Sequence, residues 1–203
     1  MGAICHIRSN NRRVGRIGRV IINQCLPMDI AQEIEKWDGK SADDIGQVYE
    51  DYGHQPDFTD LLIESMQHTS LQKGSTWLLK KHLESGEQLS DKQVSRIFKL
   101  LPRLEHWETK LHILQIMPYV LIRPAYKCGV ESFLRECLKD KNKFVRAWAY
   151  NGFNELASQY EEYLAEAKQL LETALREEAP SVKARIRNIL KSKRYSSPRS
   201  RIS

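Results

Sequence analysis

Two pairs of tryptophan and lysine are the residues of this chain best suited to contacting a partner. The pattern Trp-x-x-Lys-x-His occurs twice, 30 residues apart, beginning at Trp77 and at Trp107. On a helix, residues three apart share a face, so each indole lies beside an ammonium group, that of Lys80 or Lys110. Such a pair can stack on a planar group and contact a phosphate. The alternative is that both indoles pack in the core and both lysines are solvated.

A second group of cations lies in the last third of the chain. Arg146, Lys183 and Arg187 extend the cationic row, with Trp148 as an aromatic neighbour. The alternative is structural: Arg146 pairs with Asp140 and sets the packing of adjacent helices, Trp148 belongs to the core, and the other cations form a solvated face. The predicted binding residues are Trp77, Lys80, Lys110, Arg146, Trp148, Lys183 and Arg187.

The chain lacks the sequence motifs of the common enzyme classes. It contains no HExxH, no Gly-x-Ser-x-Gly, no P-loop and no Gly-rich dinucleotide turn. Its four cysteines, at positions 5, 25, 128 and 137, do not have the spacing of metal ligands or of a redox pair. We therefore expect a binding protein rather than an enzyme, with no cofactor and no metal, and with reduced thiols in the cytoplasm.

No apolar run approaches the roughly 18 residues that cross a bilayer, so we expect no membrane partner.

The positive charge of the chain is concentrated at its two ends. The net charge is +6, yet residues 1–27 and 191–203 each carry five Lys or Arg and no acid. Residues 28–190 therefore sum to −4. The high isoelectric point is thus not in itself a sign of a nucleic-acid groove.

This composition predicts three segments. Residues 1–27 are expected to be a disordered basic segment, residues 28–191 a helical-repeat domain, and residues 192–203 a disordered basic tail. Two alternatives for residues 1–27 stay open. An Arg-rich stretch without acids is typical of organellar targeting segments. The other alternative is that these residues are untranslated sequence upstream of a natural start at Met28.

From residue 29 onward, the apolar residues recur with helical spacing and no stretch alternates with period two. Ser41 is a predicted N-cap, and Ser90 with Gln93 predicts a capping box. Pro118 is expected to kink or end a long helix that begins near residue 105. Leu61 is expected to point inward from the third helix. The chain is therefore predicted to be all-α.

A repeat is visible late in the chain. Val145 followed by Arg146 and Val182 followed by Lys183 stand 37 positions apart, each pair after a turn and before small and apolar residues at helical spacing. Second helices of successive pairs are predicted to begin near 71–75, 107, 143 and 181. The spacing predicts an α-solenoid of about four antiparallel helix pairs.

These motifs resemble the HEAT-repeat superfamily and its HEAT-like relatives. The resemblance rests on a turn followed by Val and a cation, as in Asp140 with Val145 and Arg146, and it is best in 140–191. It implies a right-handed, curved solenoid whose second helices line the concave face, with a ladder of turn Asp and Arg between repeats. The last repeat departs from this pattern, because Glu178 stands before Pro180 where the family has Asp.

The leading hypothesis is a non-enzymatic scaffold that holds a protein or peptide on the surface of its second helices. The alternative is nucleic-acid binding, which is implied by a resemblance to the HEAT-like DNA alkylation-repair glycosylases. Members of that branch use a cationic concave face lined by aromatic residues. A third branch, the phycobilin lyases, acts on a bound cofactor. A protein scaffold predicts an exposed apolar strip, whereas a nucleic-acid groove predicts unpaired cations in one row.

Overall fold

The computed structural model describes residues 30–192, and within that range all regular secondary structure is helical, without a β-strand. The sequence predictions for residues 1–27 and for most of the tail lie outside the described residues. The ten α-helices are α1 (Ile30–Lys36), α2 (Ala42–Tyr52), α3 (Phe58–Ser65), α4 (Gln72–Glu84), α5 (Asp91–Leu100), α6 (Trp107–Ile116), α7 (Lys127–Cys137), α8 (Lys143–Gln159), α9 (Leu164–Glu177) and α10 (Pro180–Lys191). The prediction of an all-α chain is confirmed. No helix of the described part is both long enough and apolar enough to cross a membrane.

Helix starts and stops follow the local signals that the sequence indicated. The Ser90 hydroxyl accepts from the Gln93 backbone N–H, and the Gln93 side chain accepts from the Ser90 backbone N–H, which completes a capping box before α5. Ser41 caps α2 in a similar way by accepting from Asp44 N. α6 ends before Pro118, which lies in a short 3-10 turn, Met117–Tyr119. Proline therefore ends this helix, as expected for a residue without a backbone donor.

Helices that alternate along the chain pack on one another. α2 contacts α4, α4 contacts α6, α6 contacts α8, and α8 contacts α10, while α1, α3, α5 and α7 form a corresponding series. Within pairs, α1 packs on α2, α3 on α4, α7 on α8, and α9 on α10. We call α2, α4, α6, α8 and α10 the second helices. These helices contact one another in order along the chain, and the candidate binding surface lies on them.

The core is divided into a large cluster and a small one. The large cluster runs from α1 to the start of α9, whereas the small cluster joins α8, α9 and α10. Val145 and Val182, which the sequence matched at an offset of 37, are each the third residue of a second helix and are fully buried. The 37-residue match is therefore an equivalence in structure as well as in sequence.

The prediction that Leu61 points inward is wrong. Its side chain is 37% exposed, while its neighbour Leu62 is fully buried. α3 has only eight residues and ends at Ser65, so its orientation is set by packing on α1, α4 and α5 rather than by its own apolar pattern. Two adjacent leucines cannot both face the same neighbour on one helix turn.

Candidate binding surface

Arg146, the cation that opens the later part of the predicted row, holds two adjacent helix pairs together. Its Nε and Nη2 donate to Glu178 Oε1 and Oε2 at 2.9 and 3.0 Å, and Nη1 donates to the backbone oxygens of Asp140 and Lys141. The bonded Glu178 carboxylate raises the pKa of Arg146, and Arg146 lowers the pKa of Glu178. The ion-pair partner of Arg146 is thus Glu178, which stands where the HEAT-like resemblance predicted Asp.

Lys80 lies over the indole of Trp77, as expected for two residues three apart on a helix. Its Nζ is 5.5 Å from the centroid of the ring and 3.1 Å from Glu84 Oε2. Trp77 is half-buried and packs at the edge of the large core cluster. The predicted indole–ammonium pair therefore exists, with an acid already beside its cation.

The remaining predicted cations differ in their surroundings. Lys110 Nζ lies 3.6 Å from Glu136 Oε1, and Lys183 Nζ donates to the backbone oxygen of Arg176 at 2.8 Å. Arg187 is exposed and has no ion pair with any residue between 30 and 192. The structure therefore does not join these cations into one open row, and their role in binding a partner stays a prediction.

The two Trp-x-x-Lys-x-His patterns occupy positions that are not equivalent. Trp77 is the sixth residue of α4, whereas Trp107 is the first residue of α6. Thr76 Oγ1 and His112 Nδ1 are hydrogen-bonded at 3.0 Å across the two helices. These helices are thus aligned with an offset of 36 residues, and the 30-residue match is not the structural repeat.

Two large apolar rings are exposed at the beginnings of α6 and α8. Trp107 is 41% exposed and Phe144, the second residue of α8, is 51% exposed. Lys110 in the first turn of α6 reaches Asp140 just before α8, while Gly152 in α8 approaches the end of α6, so the two helices run side by side in the same direction. Trp107 and Phe144 therefore lie at the same end of neighbouring second helices. We call them the apolar patch.

A pocket of about 260 Å³ opens between α8 and α10, and we call it the α8–α10 pocket. One of the predicted binding residues, Trp148, lines it; this residue is half-buried and packs against the large core cluster. The other side chains around it are mainly polar. The polar and aromatic lining consists of Trp148, Asn151, Asn154, Glu155, Arg185, Asn188 and Ser192.

Arg185 differs from the paired arginines of this protein. Its guanidinium carbon lies 3.8 Å from the centroid of the Trp148 ring, and it makes no hydrogen bond or ion pair with any of the residues that the structure describes. Burial lowers the pKa of Arg185, whereas bonded carboxylates raise the pKa of Arg135 and of Arg146. Its donors are therefore not used by the described part of the chain.

The sequence contained a signal for this pocket that motif searching missed. Three residues of α8 each have a counterpart 37 positions later, in or just after α10: Trp148 and Arg185, Asn151 and Asn188, Glu155 and Ser192. This is the offset already given by Val145 and Val182. Extending it along the helices would have identified Arg185, but a search for rows of cations does not single out asparagine.

The described residues include no group of three or more His, Cys, Asp or Glu side chains that could hold a metal ion. Comparisons with protein-family models, with curated proteins and with solved structures give no match. The HEAT-like assignment therefore stays a prediction from the sequence motifs.

Proposed function

We propose that this chain is a HEAT-like scaffold that holds a protein or peptide partner on the surface of its second helices. In this proposal, a right-handed α-solenoid of about four helix pairs follows α1 and α2, which form an acidic N-terminal cap. The partner lies across α4, α6, α8 and α10, where equivalent positions of successive pairs form a row.

The contacts between alternate helices support the solenoid. Lys73 Nζ donates to Glu108 Oε1 at 2.9 Å from the start of α4 to the start of α6, 35 residues later. Arg146 and Glu178 make a corresponding bond between later pairs, 32 residues apart. Bonds at this separation are what a chain of stacked pairs requires, because each pair can bury its apolar face only against its neighbours.

The observation that carries the choice of partner is that three of the five predicted cations already have a carboxylate beside them, while two aromatic rings are open to solvent. Lys80, Lys110 and Arg146 each have a carboxylate within 4 Å, whereas Trp107 and Phe144 face solvent. Nucleic-acid affinity depends on cations that are available to phosphates. Protein interfaces instead draw most of their energy from a few aromatic anchors. The second-helix surface therefore fits a protein or peptide better than a polyanion.

Selection of random peptides displayed on phage against the full chain tests this proposal. We expect selected peptides whose affinity, measured by fluorescence anisotropy, falls about tenfold or more in a variant carrying Trp107→Ala and Phe144→Ala, because truncating an aromatic anchor costs about 2 kcal/mol or more. Leu164→Ala is the matched control, since Leu164 is 43% exposed on a first helix, α9. Equal losses in both variants, or no selected peptide, would contradict the proposal.

Nucleic-acid binding is the competing outcome and needs its own measurement. Duplex binding by the full chain is compared with binding by residues 28–190, which lack both basic ends, over a range of salt concentrations. If the full chain binds the duplex and residues 28–190 do not, the two basic ends are the part that binds nucleic acid. Salt-dependent binding by residues 28–190 that is lost when Lys80 and Lys110 are changed to Gln would instead contradict a protein partner.

A further inference from the structure

We propose that the α8–α10 pocket binds a carboxylate group of the partner, with Arg185 as its receptor. This inference rests on the proposed function, because the pocket lies between two second helices and would hold one residue of the same partner. It adds the chemical class of that residue. Neither the exposure of the apolar patch nor the packing of the helices by itself implies a carboxylate in this pocket.

The geometry of Arg185 is that of a prepared anion receptor. A guanidinium presents five N–H donors in a flat fork that matches the two oxygens of a carboxylate. Arg146 uses this fork on Glu178, whereas Arg185 uses none of its donors on the described residues. The Arg185 guanidinium carbon lies 3.8 Å from the centroid of the Trp148 ring, a cation–π contact that restrains the side chain. Such a restraint reduces the entropy lost when a ligand binds.

Three asparagine amides add donors beside Arg185. Asn151 and Asn154 reach the pocket from α8, and Asn188 reaches it from α10. Asn154 is only 6% exposed. Each of these amides carries an NH₂ group that can donate to an oxygen of a ligand in the pocket.

The proposed protein or peptide partner decides which anion the pocket would take. An unmodified polypeptide carries its negative charges as carboxylates, and the guanidinium fork of Arg185 matches the two oxygens of that group. Glu155, which is 4% exposed, also lines the pocket. The carboxylate of the partner can come from an acidic side chain or from a C-terminus, which share this chemistry.

Nitrogen-15 NMR of the full chain can detect binding at this pocket with simple probes. The probes are acetyl-tetraalanine with a free C-terminus, the same peptide as its amide, acetyl-Ala-Asp-Ala-amide, and inorganic phosphate. We expect saturable shifts of the Trp148 indole N–H and the Arg185 Nε–H with at least one carboxylate probe. The amide should bind about tenfold or more weakly, because charged hydrogen bonds are lost. The free terminus and the Asp probe identify the source of the carboxylate.

Variants connect these shifts to Arg185. Arg185→Gln should abolish saturable binding, whereas Arg176→Gln removes the same charge from an exposed position on α9, outside the pocket, and should leave it unchanged. Asn188→Asp at an exposed position adds repulsion and should weaken binding even if Arg185→Gln fails to fold. No shift with either carboxylate probe, tighter binding of phosphate, or equal losses in the Arg185 and Arg176 variants would overturn the inference.

This outcome is separable from that of the proposed function. If displayed peptides depend on Trp107 and Phe144 but not on Arg185, the scaffold stands and the carboxylate site falls. If no displayed peptide binds the second helices, the proposed function falls, whatever the simple carboxylate probes do.

Discussion

Replacing Ile186 with Ala is expected to destabilise α9 and α10 selectively. Ile186 is fully buried in the small core cluster, which joins these helices to α8 apart from the large cluster. Deleting buried methylene groups of this kind lowers the free energy of unfolding by about 2–5 kcal/mol. In stacked pairs, that loss stays near its origin, because each pair contacts only its neighbours. Hydrogen exchange should therefore show lost protection in α9 and α10, with α4 and α6 still protected.

The matched control is Ile45→Ala at the other end of the chain. Ile45 is equally buried, in α2 and in the large cluster, so the substitution removes the same atoms. Protection should then be lost first in α1 and α2. A loss spread evenly over α1 to α10 in either variant would contradict the stacked arrangement and favour one cooperative globule.

Local signals made most of the fold predictable. The capping box of Ser90 and the stop at Pro118 depend on a few adjacent residues, and both were read correctly from the sequence. The repeat of Val145 and Val182 was equally accessible, because a fixed period preserves the identity of buried positions. The face of Leu61 was not predictable in this way, since three other helices fix the orientation of the short α3.

The site was less predictable because its residues depend on contacts about one repeat apart. The partner of Arg146 is Glu178, 32 residues later, and sequence reasoning chose the nearby Asp140. Trp148 was identified from its residue type, whereas Arg185 gains its significance only when α10 places it over the indole. A cation in a sequence does not reveal whether it is paired. That difference separates Lys80, Lys110 and Arg146, which have carboxylates beside them, from Arg185, which has no ion pair with a described residue.

Lowering the pH from 7.5 to 5 is expected to destabilise the protein by about 2 kcal/mol through His112 alone. Burial, with smaller contributions from Lys80 and Lys73, lowers the pKa of His112 to about 4, against the opposing effect of Glu108. Above pH 6.5, the ring is neutral in both states and contributes no pH dependence. Below pH 6.5, the unfolded chain gains the proton first, so stability falls by about 1.4 kcal/mol per pH unit until about pH 4.

The neutral ring is hydrogen-bonded to Thr76, with His112 Nδ1 3.0 Å from Thr76 Oγ1, and the tautomer of His112 decides which of the two atoms donates. The Thr76 hydroxyl also lies 2.8 Å from the backbone oxygen of Gln72. When the hydroxyl donates to Gln72, His112 Nδ1–H donates to Thr76 Oγ1, and protonation of the ring leaves that bond in place. In that tautomer, the cost of protonation lies in charging a buried imidazole near two lysines.

His112→Gln isolates this contribution, because a Gln amide can donate to Thr76 without titrating. Urea unfolding of both proteins at pH 7.5, 6.5, 5.5 and 5 gives the difference in their free energies of unfolding. Carboxylates and His82, whose pKa is also lowered by burial, titrate in both proteins and cancel. We expect the variant to gain about 2 kcal/mol relative to the natural chain between pH 7.5 and pH 5. A constant difference over this range would show that His112 is not held neutral between α4 and α6.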